Sequence, residues 1–209
     1  PHPAGQGCRR QCPASWSIKY FPFDPKGYKL VLLNSQVKHD LATSAYNDRR
    51  KSCENVVAAM KKHWPNVDSL RDATYDMLDE VRSEVSEEDA LRAKYVIGEK
   101  YRVLEVCVAL EEGDYEEVGK KMYETHYGLS KEYEVSCPEL DFLNDVAHSC
   151  GVTGSRIMGG GFGGCTINLV SDDLYANFID TAKKAYKEKF GKDPIVIDVV
   201  IGDGSRKLC

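Results

Sequence analysis

Residues 154–170 read Gly154-Ser-Arg-Ile-Met158-Gly-Gly-Gly-Phe162-Gly-Gly-Cys165-Thr-Ile-Asn-Leu-Val170. Five of the six residues from 159 to 164 are glycine, and a β-branched run follows directly. The glycines therefore join two extended segments. Glycine takes positive φ without a Cβ clash and lets another backbone or a phosphate approach closely. Successive amide N–H groups in such a turn also form a small anion-binding concavity. A bare hairpin tip needs only one or two glycines, whereas Gly159, Gly160, Gly161, Gly163 and Gly164 clear a whole surface. Two nucleotide motifs fail on context. Gly159, Gly161 and Gly164 satisfy G-x-G-x-x-G, but that fingerprint opens a helix, and here a strand follows. A Walker A loop needs lysine before its Ser/Thr, which Gly164-Cys165-Thr166 lacks.

Outward from the loop, the pattern alternates strand and helix. Ser171 caps a predicted helix through Leu174, Phe178, Ala182 and Tyr186, closed by Gly191. Ile195–Ile201 reads as a last buried strand. Upstream, Pro138 with Glu139 and Asp141 opens a helix ended by Gly151. Asp114 with Glu117, and Ser86 with Asp89, start two more helices, the latter running to Glu112. Residues 68–84 suggest one or two short helices. A stripe of Tyr46, Cys53, Val56, Val57 and Met60 predicts a helix capped by Thr43 or Ser44 and stopped at Trp64-Pro65. Tyr28–Val37 reads as a strand buried on both faces, preceded by an edge strand at 18–23. Clustered helices beside a small, mostly antiparallel, ferredoxin-like sheet make an α+β fold. The chain divides into an atypical segment at 1–18 and one domain at 19–209. Residues 1–17 carry no apolar periodicity and read as a terminal coil, an expression remnant or a sequence error rather than a folded element.

Composition narrows the function. Charged and apolar fractions of 29% and 42% are ordinary for a globular protein. A net charge of −5 without a basic tract argues against nucleic acid or an anionic membrane as partner. No apolar run reaches membrane-span length and no secretory h-region is present, so the cytoplasm is the expected location. Cys8 and Cys12 with His2 match no zinc spacing, and the eight cysteines read as reduced thiols.

Three separated motifs resemble one family. They are Asn34-Ser35-Gln36-Val37-Lys38-His39 with Ser44-Ala45-Tyr46-Asn47-Asp48-Arg49-Arg50, then Tyr133-Glu134-Val135-Ser136-Cys137-Pro138-Glu139-Leu140-Asp141, then the glycine loop. Over residues 19–209 the chain resembles the C-terminal half of GHMP small-molecule kinases, in their galactose-phosphorylating branch. The resemblance implies a two-lobed enzyme that transfers phosphate from ATP to the anomeric hydroxyl of galactose. ATP and Mg²⁺ are expected mainly on an N-terminal lobe, together with a catalytic aspartate and arginine. No catalytic or metal residue is therefore assigned to this chain, which is expected to be inactive by itself. Without that lobe it should expose apolar surface. Kinases of a related sugar such as N-acetylgalactosamine share the Cys137–Asp141 segment, though Phe162 with the triple glycine favours galactose. A non-catalytic sugar-sensing module is the reading from another class.

For single residues, the resemblance makes Tyr46 a sugar contact, since its ring can stack on a sugar face and its hydroxyl can bond one. It makes the five glycines a support for the ATP phosphate loop of the other lobe, with Phe162 as a packing plug. On that reading Gly161→Val lowers turnover with little loss of folding. Lys38 and His39 end a strand where a cleft is expected. One of Arg49 and Arg50 should pair with Glu54. His126, His148, Glu139 and Asp141 have sufficient structural reasons at helix faces and ends.

Overall fold

A computed structural model describes residues 6–10, 18–38 and 42–202. His2, Cys12 and His39 lie outside the described residues, as do the side chains of Cys8, Thr43 and Ser44. The strands are β1 (Gln6–Arg10), β2 (Ile18–Pro22), β3 (Tyr28–Asn34), β4 (Gly154–Met158), β5 (Cys165–Ser171) and β6 (Ile195–Val199). The helices are α1 (Ala42–His63), α2 (Tyr75–Glu80), α3 (Glu87–Glu112), α4 (Tyr115–Tyr127), α5 (Pro138–Ser149) and α6 (Asp172–Phe190). A π turn, Gly128–Glu132, extends α4. Side-chain caps form at two predicted helix starts, where Ser86 accepts the Asp89 amide and Asp114 the Glu117 amide, each at 3.0 Å, whereas Ser171 stands at the start of α6 without a side-chain cap bond. Gly113 ends α3 in the left-handed region at φ 73°.

The main sheet has the order β4-β5-β3-β6 with every pairing antiparallel. It is α+β and ferredoxin-like, as expected. One face, carrying Val31, Leu33 and Val170, packs on α5 and α6 through Leu143, Ala147, Phe178 and Tyr186. On the other face, Leu30 and Leu169 meet Ala109 of α3 and Val118 of α4. Here α4 lies hard against β4, and a Cβ added at Gly154 would stand 2.5 Å from the Cα of Gly119. A separate core joins α1, α2 and α3 around Val56, Met60, Leu78 and Ile97.

Three expectations change. The coil predicted over 1–17 contains β1, which pairs antiparallel with β2 in its own two-stranded sheet. β3 alternates, with Val31 and Leu33 fully buried and Leu30 and Leu32 only partly so. β6 is not a buried strand. It lies at the sheet edge, with Ile195 48% and Ile197 42% exposed. Cross-strand register explains why. Ile197 opposes Leu32, which opposes Ile167, so all three share the face that α4 covers only at its far end.

Candidate functional site

The glycine loop is six residues long because β4 and β5 close with Met158 opposite Cys165. Two distant segments grip it. On one side β3 runs on past Asn34, and the Ser35 amide donates to the Gly164 carbonyl at 2.8 Å. The Gly164 amide then donates to the Val37 carbonyl at 3.3 Å. Buried Ser35 adds its hydroxyl to the same Gly164 carbonyl at 2.8 Å. Its own carbonyl accepts the Tyr186 hydroxyl at 2.7 Å, which ties the segment to α6.

On the other side the Phe162 amide donates to the Val135 carbonyl at 2.6 Å. The segment bearing that carbonyl is fixed by two arginines. Arg49 Nε donates to the Tyr133 carbonyl at 3.0 Å and its Nη2 to the Glu134 carbonyl at 2.6 Å. Buried Arg92 donates to the Glu134 carboxylate and to the Ser52 hydroxyl, each at 3.0 Å, and pairs with Glu88. Charge-assisted bonds of this kind are the stronger sort. The neighbouring Tyr133 hydroxyl lies 3.9 Å from Cys53 Sγ. Burial first, and Cys53 second, push the Tyr133 phenol up to about 12.

Tyr46, in the first turns of α1, stands at the loop. Its ring meets Phe162 edge-on with centroids 5.2 Å apart, and the Arg49 guanidinium lies 5.7 Å from the centre of the Phe162 ring. Tyr46 stays 38% exposed, so part of the ring remains open to a ligand. All three sequence motifs thus converge on one place. Phe162 itself sits in the left-handed region at φ 57°.

The glycines are needed for a nearer reason than the sequence suggested. A Cβ at Gly160 would overlap the Tyr46 phenol, and one at Gly161 the Val135 carbonyl. One at Gly163 would come within 2.6 Å of the Val37 carbonyl oxygen. The cleared space is occupied by this chain itself. Gly161 also has φ +84°, so the expectation that Gly161→Val spares folding fails. Gly159, by contrast, has open space beside it, with no atom within 4 Å.

Other residues separate cleanly. Arg50, not Arg49, pairs with Glu54 at 2.7 Å. Lys38 is exposed just beyond Val37. His148 faces Tyr123, edge to ring, at 5.2 Å. His126 and Asp141 do more than end helices, since they bond each other at 3.2 Å. Cys53, Cys107, Cys137, Cys150 and Cys165 are free thiols. A cavity of about 500 Å³ lies at the opposite end of β3, lined by Tyr28, Lys29, Tyr175 and Asp198, and no motif residue lines it. Among the described residues no helix is long and apolar enough to cross a membrane. Nor do three His, Cys, Asp or Glu among them gather to hold a metal ion.

Sequence reasoning missed Arg92 and the carbonyls of Val37 and Val135. Arg92 had a signal, being a charge among Ala90, Ala93 and Ile97 on the inward side of α3. The carbonyls had none, because any residue supplies one.

The family model described as GHMP kinases C terminal matches residues 107–188. With the antiparallel sheet and the loop gripped at its end, residues 107–188 carry the C-terminal domain of the GHMP kinases. The chain as a whole is similar to galactokinases. It is 41% identical to the Clostridium beijerinckii galactokinase over 87% of this chain and 47% of that protein. It is equally identical to the human galactokinase over 89% of this chain and 45% of that protein. A crystal structure of Lactococcus lactis galactokinase complexed with galactose superposes with TM-score 0.90 at 27% identity, covering 98% of this chain and 53% of that one. The chain spans about half the length of the curated relatives it matches.

Proposed function

We propose that this chain is the C-terminal lobe of an ATP-dependent kinase that phosphorylates galactose at its anomeric hydroxyl. The observation that carries the reading is the convergence of three distant motifs on Tyr46 and the glycine loop, in a chain 41% identical to galactokinases. Tyr46 offers its exposed ring face and hydroxyl to the sugar. The loop presents a firm, side-chain-poor surface beside it. In phosphoryl transfer the anomeric oxygen attacks the γ-phosphorus, loses its proton and displaces ADP. Such a reaction depends on positioning and charge stabilisation more than on covalent help.

The catalytic aspartate and arginine, and most contacts to ATP and Mg²⁺, fall to an N-terminal lobe. We place that lobe over the open sheet face, where Ile195 and Ile197 are exposed and Leu32 and Ile167 beside them are only partly buried. A cytoplasmic location follows from the same reading.

The test mixes this chain with the N-terminal half of a galactokinase and follows ATP-dependent sugar phosphorylation. Galactose 1-phosphate should form only with both halves present, and faster than the product from N-acetylgalactosamine. Binding of galactose by the joined halves without turnover would replace the kinase with a sugar-sensing module. Preference for N-acetylgalactosamine would reassign the substrate.

A further inference from the structure

The segment between α4 and α5 carries two irregularities, the π turn at Gly128–Glu132 and Glu134 in the left-handed region at φ 53°. Conformations of this kind persist only where the surroundings over-determine them. π turns also recur at functional sites. The backbone alone gives two holds, from the Tyr133 amide to the Gly128 carbonyl at 2.8 Å and from the Val135 amide to the Leu129 carbonyl at 2.9 Å.

Arg49 and Arg92 hold Tyr133 and Glu134, and a further hold, on the flanking residues, converges on one carboxylate. Asp141 Oδ2 accepts the Ser130 hydroxyl, inside the π turn, at 2.8 Å. Asp141 Oδ1 accepts the Ser136 hydroxyl, next to Val135, at 2.5 Å. The same oxygen faces His126 Nε2, on the last turn of α4, at 3.2 Å. A carboxylate only accepts, so that imidazole nitrogen carries the hydrogen. His126 is 5% exposed, and Lys131 Nζ stands 3.7 Å from Oδ2 on the solvent side. A first-turn acid needs none of this to complement the helix dipole, and Glu139 already meets that need. Three side-chain donors, from the α4 end, the π turn and the residue after Val135, are gathered by Asp141.

Resting on the reading of the glycine loop as part of a sugar-kinase site, we propose that Asp141 is a positioning residue. Its carboxylate fixes residues 128–136 so that the Val135 carbonyl holds the Phe162 amide and keeps the loop against Tyr46. Asp141 touches neither the loop nor Tyr46 and acts only through Ser136 and Val135. Burial alone would raise its carboxyl, but bonds from His126, Ser136 and Ser130 outweigh that and hold it down at about 2, consistent with a permanently charged clamp.

The test is amide hydrogen exchange on the chain itself, with no sugar or nucleotide present, so its outcome does not depend on the kinase assignment. Asp141→Ala and the milder Ser136→Ala should each speed exchange at the Phe162 amide about tenfold or more, a local opening. Amides around Val56 and Ile97, in the separate helical core, should keep their rates. Ser136→Thr, which retains the hydroxyl, should restore protection at Phe162. Unchanged protection of Phe162 in Ser136→Ala would overturn the proposal, whether or not Asp141→Ala folds. Equal loss across the helical core would overturn it too, because Asp141 would then be a general stabiliser.

Discussion

The glycine loop and the start of strand β6, at Ile195, lie at the same end of the sheet and are built on opposite plans. The loop has almost no side chains, yet three of its backbone polar groups are bonded to segments about 25 and 125 residues away in sequence. β6 is rich in isoleucine and valine, yet Ile195 and Ile197 stand open to solvent. Apolar content therefore does not decide which region is fixed. What decides it is whether the matching surface lies within this chain. For the loop it does, as the carbonyls of Val37 and Val135. For the outer rows of the sheet no described residue supplies it.

The comparison breaks most visibly at Gly161. A valine there meets the Val135 carbonyl and must hold φ near +84° with a branched side chain. We expect a loss of about 3 kcal/mol or more, seen as a fall in Tm of roughly 6 °C or more. A Tm within two degrees of the wild type would mean that the loop is not seated.

A smaller effect comes with acid. The native Asp141 carboxyl sits at about 2 against an ordinary 3.8, so it is depressed by folding. Its stabilisation is present above about pH 4 and fades as pH falls toward 2. Asp141→Asn should remove that part of the pH dependence, on the order of 1 kcal/mol after allowance for its partial exposure. Urea unfolding at pH 6 and pH 3 measures it, and equal slopes in both proteins would count against the clamp.

The smallest effect on stability belongs to β6. Ile197→Lys should change the stability of this chain by about 0.5 kcal/mol or less, as expected for an exposed site. The same change should weaken association with an N-terminal galactokinase half about tenfold. Unaltered association in a calorimetric titration would move the lobe off this face.

Much of this was legible in the sequence, for reasons that differ by element. Ser86, Asp114 and Pro138 announce helix starts through local chemistry, which a single sequence carries in full. The glycine run announced a crowded bend but not its neighbours, since the crowding comes from backbone carbonyls that any residue provides. The run at 195–201 misled because the same isoleucines suit a buried strand and an edge awaiting cover. The π turn left no pattern at all, since the bonds from Ser130 and Ser136 to Asp141 reach across a helix junction. Tyr46 was singled out only by family resemblance, as helical periodicity assigns it to the core stripe.

The central claim is that Tyr46 and the glycine loop form one surface for the sugar, and a double-mutant cycle at Gly160 tests it most directly. A Cβ at Gly160 overlaps the phenol of a half-open tyrosine, so Gly160→Ala should displace that ring without unfolding the domain. In the reconstituted enzyme, Gly160→Ala and Tyr46→Ala should each raise the KM for galactose about tenfold, and together hardly more than either alone. Losses that simply add, or a Gly160→Ala enzyme with an unchanged KM, would contradict the account.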